Sequence, residues 1–157
     1  MCAIGVDCTG GGNDPMMLAI RHDGWYDKLG EIPGHDIPVE RAGKAAAGIV
    51  VSYRRDMAGV IVDLGGGYGN ALYEKLKENG IDAAMFKGAN ASVRRTEDHQ
   101  YGFSNMRTEA YWKFREALDP SQPGGSPIML PPDLALLAEL TAPTFEEKNK
   151  VIALQPK

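Results

Sequence analysis

The sequence has only two cysteines, Cys2 and Cys8, and neither forms a CxxC pair or stands at a metal-ligand spacing from a histidine. Both are interpreted as small reduced side chains of a cytosolic protein, and neither a disulfide framework nor a zinc site is predicted. No apolar run approaches the roughly 20 residues that span a bilayer. The chain opens on a predicted strand rather than on a basic segment followed by a long apolar one, so no secretory signal is predicted.

An excess of positive charge is also missing. The formal net charge is −4 and the sequence pI is about 5.4, which argues against a protein that holds nucleic acid mainly by bulk electrostatics but leaves local basic patches open. What is present is an ordinary globular mix, 43% hydrophobic and 24% charged. With 157 residues, a single domain with a real core is predicted, burying roughly 70% of its unfolded-chain surface.

The most informative stretch is residues 58–70, AGVIVDLGGGYGN. Its unbroken β-branched run, Val60 to Val62, predicts a strand buried on both faces. Asp63 then stands at the carboxyl end of that strand, and Gly65, Gly66, Gly67 and Gly69 supply a turn before a helical pattern. Ligands of open α/β sheets bind at this edge.

The rest of the chain predicts a mixed α/β fold in the order βββαβαβ, followed by a less regular part. Ala3 to Cys8 is a strand that carries Asp7, and the glycine turn TGGGND after it carries Asp14. Strands at 3–8, 16–21 and 25–32 are predicted to form an antiparallel meander. A helix at 39–57, a strand at 58–63, a helix at 71–79 and a strand at 81–86 are predicted to follow. Beyond them we predict a loop at 87–104, helices at 105–118 and 133–140, a brief strand at 128–130 and a hairpin at 145–154.

The two strand-ending aspartates suggest metal chemistry. A right-handed crossover would bring the fourth strand beside the first and parallel to it. Adjacent strands lie about 4.8 Å apart, so Asp7 and Asp63 would reach the same ion. Oxygen-only carboxylate sites suit Mg²⁺ or Mn²⁺, and two such ions are suited to in-line displacement at a phosphodiester.

Simpler interpretations stand beside this one. Either aspartate alone is explained equally well as an Asx-turn or helix cap, whereas the matching pair favours a site. Asp14, before Pro15, is more typical of a turn. A solvated loop explains Arg94, Arg95 and Lys87 at least as well as contact with a phosphate backbone does, and Tyr111, Trp112 and Phe114 at helical spacing are predicted to be core.

The segment DLGGGYG also resembles the glycine motif with which class I methyltransferases bind S-adenosylmethionine. In that family the glycine strand opens the sheet, and an acid that ends the next strand holds the ribose. Here three strands and a helix come first, and the next strand, AAMF, ends at Lys87. Methyl transfer is therefore the weaker alternative.

Four segments in register, GVDCTGGGNDPMMLAIR, VIVDLGGGYGNALYEKLKENG, YGFSNMRTEAYWKFREAL and IMLPPDLALLAEL, resemble the carboxyl-terminal nuclease domain of the large terminase subunit of tailed bacteriophages. The resemblance implies a ribonuclease-H-like fold, with three antiparallel strands and then parallel ones in a mixed central sheet flanked by helices. It implies a two-metal endonuclease that uses Mg²⁺ or Mn²⁺. Such an enzyme would cut concatemeric viral DNA, in which genomes are joined end to end, during packaging in the host bacterial cytoplasm. The implied partners are double-stranded DNA, the small terminase subunit and the portal, with no membrane.

By position, the resemblance makes Asp7 the first metal-binding acid, Asp63 the second and Asp14 an auxiliary acid. The segment NMRTEAYW, with Asn105, Arg107 and Glu109, resembles a family motif for which a mainly structural role is expected. The family's third catalytic aspartate lies in a helical segment that would begin after Lys157. The sequence also has no GxxxxGK[ST] motif of the packaging ATPase. Residues 1–157 are therefore expected to be one nuclease domain that lacks both. A catalytically incomplete prophage remnant with a structural or DNA-binding role is the alternative.

Overall fold

A six-stranded mixed sheet organises the first of two units into which the chain divides, Met1–Phe86 and Lys87–Lys157. The computed structural model describes residues 1–155, so the last two residues of the predicted domain lie outside the described residues. Among the residues described, no helix combines the length and apolar character needed to cross a membrane.

The sheet of the first unit places two parallel strands side by side. Its strands are β1 (Ala3–Asp7), β2 (Met16–His22), β3 (Trp25–Tyr26), β4 (Gly30–Ile32), β5 (Gly59–Asp63) and β6 (Ala83–Phe86). The order is β3-β2-β1-β5-β6, and β4 also pairs with β2. β2 runs antiparallel to β1, whereas β5 runs parallel to β1 and β6 parallel to β5. The predicted return of the fourth strand beside the first is therefore observed, in the predicted direction.

Two helices cover one face of this sheet. They are α1 (Ala42–Tyr53) and α2 (Gly69–Glu78), and each contributes apolar side chains at helical spacing, such as Ala46 and Val50 from α1 and Leu72 and Leu76 from α2. These join the alternate sheet residues in one buried cluster, which includes Ile4, Val6, Val60 and Val62. The core of the unit thus lies on the face opposite to the odd-numbered residues of β1 and β5.

That arrangement corrects the prediction that the β5 run is buried on both faces. Val60 and Val62 are buried, but Ile61 between them is 47% exposed. The side chains of a strand alternate between faces, and both helices of this unit pack on the side of Val60 and Val62. An uninterrupted apolar run reveals a strand but not how many faces are covered.

Several element boundaries also differ from the predictions. α1 ends at Tyr53 instead of continuing to residue 57, because Arg54 is extended and Asp56 and Met57 adopt left-handed backbone angles. The third predicted strand, 25–32, is divided into β3 and β4. Both pieces pair with β2, so the meander is retained.

The second unit is described by itself. It contains β7 (Gly102–Phe103), α3 (Met106–Leu118), α4 (Leu134–Thr141), β8 (Phe145–Lys148) and β9 (Val151–Leu154), with β9 between β7 and β8 in a three-stranded sheet. The predicted hairpin is observed and turns at Asn149 and Lys150, both with positive φ, as in the type I′ turns that suit hairpins. The predicted strand at 128–130 is reduced to a bridge residue, Met129.

The NMRTEAYW segment makes the local contacts that begin α3. The Asn105 side chain accepts a hydrogen bond from the Thr108 amide, which caps the helix. Buried Thr108 exchanges a hydrogen bond with Ser104 and accepts one from the Leu154 amide. Glu109 accepts a hydrogen bond from Ser92 and thereby ties the preceding loop to the helix.

Candidate metal centre

The candidate centre lies where β1 and β5 end side by side. The parallel register pairs Val6 with Val62, so the next position along each strand is an aspartate, Asp7 on β1 and Asp63 on β5. Paired residues of neighbouring strands project from the same face. Both carboxylates therefore stand at the carboxyl edge, on the face opposite to the buried valines.

Asp63 is held in place by the turn that follows it. Its Oδ1 accepts a hydrogen bond from the Gly65 amide, 2.8 Å away, so the Asx-turn that served as the simpler interpretation is present. This bond occupies one of the two carboxylate oxygens and fixes the side-chain rotamer. The turn therefore orients the carboxylate, and the second oxygen remains available for a ligand.

Asp7 has no such partner. Among residues 1–155, its carboxylate has neither a hydrogen bond nor an ion pair. Partial burial, and then the charge of Asp63, raise the pKa of Asp7 above its usual value. Two like charges at one edge without a neutralising side chain are the condition that a bound cation relieves.

Cys8 does not extend this ligand set as a thiolate. Burial, with smaller effects of the Asp7 and Asp63 charges, raises the pKa of its thiol to about 12. A thiol binds metal as the thiolate, so in the metal-free protein near neutral pH the anionic side-chain donors at this edge are the two carboxylates.

Asp14 lies at the same end of the sheet. β2 runs antiparallel to β1 and pairs Met17 with Asp7, and Asp14 comes just before β2. The residue is exposed. Within residues 1–155, however, no group of three or more His, Cys, Asp or Glu side chains is close enough together to hold a metal ion. The structure thus brings Asp7 and Asp63 together without adding Asp14 as a third ligand.

The glycines after Asp63 have local structural roles that need no nucleotide. Gly66 and Gly67 have φ of 68° and 88° and make the turn. A Cβ on Gly69 would fall well inside 3.0 Å of the Asp63 carbonyl oxygen, so only glycine lets α2 begin against the strand that carries Asp63. The sequence pattern assigns all of these glycines to the turn and carries no signal for the packing role of Gly69.

The loops that follow the two aspartates also touch each other. A Cβ on Gly10, in the loop after β1, would overlap the Tyr68 ring, which belongs to the turn after β5. The ring therefore lies directly on the Gly10 backbone. Hydrophobic periodicity does not predict this contact, because Tyr68 is 57% exposed and belongs to no repeating pattern.

The predicted DNA-contacting cations are in the second unit. Arg94 is paired with Glu109 at 3.5 Å but keeps a side chain that is 73% exposed. Arg95 donates to the His99 carbonyl oxygen, and Lys87 is exposed. All three are surface cations, and their proposed role remains a prediction.

Asp7→Asn is expected to stabilise the metal-free protein at pH 7 by about 1 kcal/mol or less, because it removes a charge that is partly desolvated and is also repelled by Asp63. An aspartate whose folded-state pKa is raised binds a proton more readily in the folded state. Its charge therefore lowers the free energy of unfolding by the whole amount above that pKa, and the effect disappears as the pH falls below the ordinary value of 3.8. Thermal unfolding in EDTA should therefore show a small gain for the variant near neutral pH that vanishes in acid. A variant that is less stable than wild type at pH 7 would contradict the like-charge arrangement.

Comparison with known proteins reveals similarity at the level of the fold. The nuclease domain of the large terminase subunit gp2 of bacterial virus Sf6 superposes with a TM-score of 0.67 and 21% sequence identity, over 99% of this chain and 77% of that one. A single-residue variant of that domain with manganese and beta-thujaplicinol gives a TM-score of 0.68 at 20% identity, and one with calcium gives the same values. Each of the latter two superpositions covers 98% of this chain and 76% of the other.

No protein-family model matches the chain, and no curated protein matches it in sequence. The predicted fold class is confirmed by the structural comparison. The chain shares the fold of the nuclease domain of the large terminase subunit gp2 of bacterial virus Sf6.

Proposed function

We propose that this chain is a metal-dependent DNA endonuclease, the nuclease domain of a phage large terminase subunit that cuts concatemeric viral DNA during genome packaging. One observation carries the proposal: Asp7 and Asp63 directly follow the paired residues Val6 and Val62 at the carboxyl edge of adjacent parallel strands. The fold shared with the Sf6 nuclease domain supports it.

The paired aspartates fit a hard divalent cation. Their donor set consists of carboxylate oxygens, which suit Mg²⁺ and Mn²⁺, and the Asp7 carboxylate has no protein partner among the described residues. Mg²⁺ commonly binds through one or two carboxylates while keeping waters and substrate phosphates as its other ligands. The Sf6 domain has been solved with manganese and with calcium, in line with a divalent ion at this pair.

The protein's own contribution is placement and charge. A bound divalent ion would supply Lewis-acid stabilisation of the charge that develops on the cleaved phosphodiester. The Gly65 amide fixes the Asp63 carboxylate, and Asp7 ends the neighbouring strand, so both acids lie at the same edge before substrate arrives. Without a cation the two carboxylates repel a phosphate, so we expect neither productive DNA binding at this edge nor cleavage.

The wider assembly is proposed from the same resemblance. The surface cations Arg94, Arg95 and Lys87 are proposed to contact the DNA backbone, which a chain of net charge −4 must reach through local patches. The small terminase subunit and the portal are the proposed protein partners, and the host bacterial cytoplasm is the proposed place of action.

A catalytically incomplete domain that binds metal or DNA without cutting is the second candidate. It is favoured by the absence of any metal-binding group of three or more side chains within residues 1–155. Paired-ion catalysis depends on every bridging ligand being in place. We therefore propose that full activity needs a third acid in addition to Asp7 and Asp63.

The test is cleavage of supercoiled plasmid by the purified chain in Mn²⁺, in Mg²⁺ and in EDTA, with thermal unfolding measured in each. Cleavage in either metal that EDTA abolishes is the expected result. A folded chain that Mn²⁺ stabilises but that does not cut would favour the incomplete domain. A chain that no divalent metal stabilises, and that S-adenosylmethionine does stabilise, would overturn both and support methyl transfer.

A further inference from the structure

The second unit contains a cavity of about 850 Å³ that the proposed nuclease activity does not use. It lies between α3 and α4, with Phe145 of β8 at one side. Its volume is within the range of specific binding sites, roughly 300 to 1,000 Å³. All of its lining residues belong to the second unit, so it is separate from the edge that carries Asp7 and Asp63.

The floor of the cavity is aromatic and incompletely covered. Tyr111, Trp112 and Phe114 were predicted to be core, but all three are only half-buried and line the cavity. Trp112 packs edge-on against Phe145, with ring centroids 5.2 Å apart. Aromatic side chains in such a partly covered site are typical of binding surfaces.

The α4 wall is apolar where it faces water. Residues 134–141, LALLAELT, form a helix in which no residue is buried. Leu137 lines the cavity and is 56% exposed, and Leu134 nearby is 84% exposed. A helix that is apolar on most sides is normally covered by other protein, so this wall indicates a macromolecular partner.

The charges around the cavity indicate the sign of that partner. Four acids line it, Glu97, Asp98, Glu116 and Asp119, with one cation, Arg115. Glu116 is paired with Lys113 at 2.6 Å, so the other three acids make the rim negative. Hydrogen bonds, the largest from Thr96 for Asp98 and from Ser121 for Asp119, lower the pKa of both aspartates, so both are ionised at neutral pH. Arg115 lies over the Trp112 ring at 4.6 Å. A polyanion such as DNA is disfavoured here, and a basic partner is favoured.

We propose that the α3–α4 cavity is a docking groove for an amphipathic helix of a partner protein, with apolar residues on one face and lysine or arginine on its flanks. The apolar face would pack on the aromatic floor and Leu137, as in other helix-in-groove complexes. The basic flanks would lie against the acidic rim. This binding function is independent of DNA cleavage.

Trp112 offers a direct reporter of the groove. The chain has two tryptophans, and the other, Trp25, is in the first unit, so a Trp25→Phe background isolates the signal. The probe is a synthetic helix of about 14 residues with leucines on one face and lysines on the other. We expect saturable change in Trp112 fluorescence with a dissociation constant on the order of 10 μM. A leucine and glutamate helix, or a scrambled leucine and lysine peptide, should bind at least about tenfold more weakly.

Two pairs of variants locate the binding, with circular dichroism confirming the fold. Leu137→Glu should weaken binding at least about tenfold, whereas Ala135→Glu, which changes an exposed residue of the same helix outside the cavity lining, should not. Glu97→Lys should weaken it about threefold or more, whereas Glu147→Lys, exposed on β8, should not.

Several results would overturn the proposal. If the leucine and glutamate helix bound as tightly as the leucine and lysine helix, the groove would accept any apolar helix and the charge argument would be wrong. If Trp112 fluorescence changed with protein concentration in the absence of peptide, the occupant would be a second copy of this chain. Tight binding of single-stranded DNA would assign it to nucleic acid. Absence of a fluorescence change with any probe would leave the proposal without a ligand and reject it.

Discussion

Asp63→Asn is expected to lower Mn²⁺-dependent plasmid cleavage by at least about 100-fold while leaving the fold intact. Asparagine keeps an Oδ1 that accepts the Gly65 amide hydrogen bond, 2.8 Å long in the wild type, so the turn after β5 should persist. The substitution removes the negative charge of Asp63 beside Asp7 and replaces a carboxylate ligand by a weaker amide oxygen. The loss should therefore be seen in activity and in metal binding, not in folding.

The measurement combines cleavage rates with unfolding temperatures in EDTA and in Mn²⁺. Metal at about 100 times its dissociation constant stabilises a protein by about 2.7 kcal/mol, and Asp63→Asn should remove most of that gain. Asp82→Asn is the matched control, because Asp82 is exposed and stands just before β6, at the opposite end of the sheet. If Asp63→Asn cut DNA as fast as Asp82→Asn does, the site assignment would be wrong.

Asp14→Asn tests whether the auxiliary acid binds metal together with the Asp7 and Asp63 pair. Asp14 is exposed at the same sheet end but belongs to no group of three metal-binding side chains among residues 1–155. A smaller loss than that of Asp63→Asn is expected, and a loss as large would make Asp14 a ligand in its own right.

The sheet was predictable because its signals are local and strong. The β-branched run at Val60 to Val62, the glycines after Asp7 and Asp63 and the helical spacing between them specify strands and a crossover, and the right-handed rule leaves few arrangements. The neighbouring positions of Asp7 and Asp63 follow from that topology alone. Their role as ligands does not, and it remains a prediction until metal binding is measured.

What the sequence did not reveal depends on packing between distant segments. Ile61 is as apolar as its neighbours, and its 47% exposure reflects where α1 and α2 lie. Tyr111 and Trp112 have the spacing of core residues but line a cavity, because α4 leaves that side partly uncovered. Periodicity shows which side chains share a face of an element, but it does not show whether another element covers that face.

The second unit was harder to predict because its strands are short. β7 has two residues, too few to show alternation, and it fell within a predicted loop. The helices predicted at 105–118 and 133–140 are observed, and their first residues, Asn105 and Asp133, are N-caps that accept hydrogen bonds from first-turn amides. Capping residues act through local geometry, so their signal does not require knowledge of the fold.

Gly69→Ala is expected to destabilise the protein by about 3 kcal/mol, a large part of the 5 to 15 kcal/mol that holds a typical domain together. The new Cβ would press on the Asp63 carbonyl oxygen and would lie 2.9 Å from Leu64 Cδ2. The carbonyl belongs to β5, which is paired with a strand on each side. α2 must therefore move away from β5, which exposes core residues such as Leu72, or β5 must move with Asp63.

Gly48→Ala is the matched control for that substitution. Gly48 lies within α1, and a Cβ there would meet nothing within 4 Å, so helix propensity should raise the free energy of unfolding by about 0.5 to 1 kcal/mol. The same chemical change should thus have opposite signs at the two positions in a urea or thermal unfolding experiment. If Gly69→Ala were as stable as wild type and still gained stability from Mn²⁺, α2 would not begin against Asp63. If it folds but loses the response to Mn²⁺, the glycine motif acts by positioning Asp63 as a metal ligand.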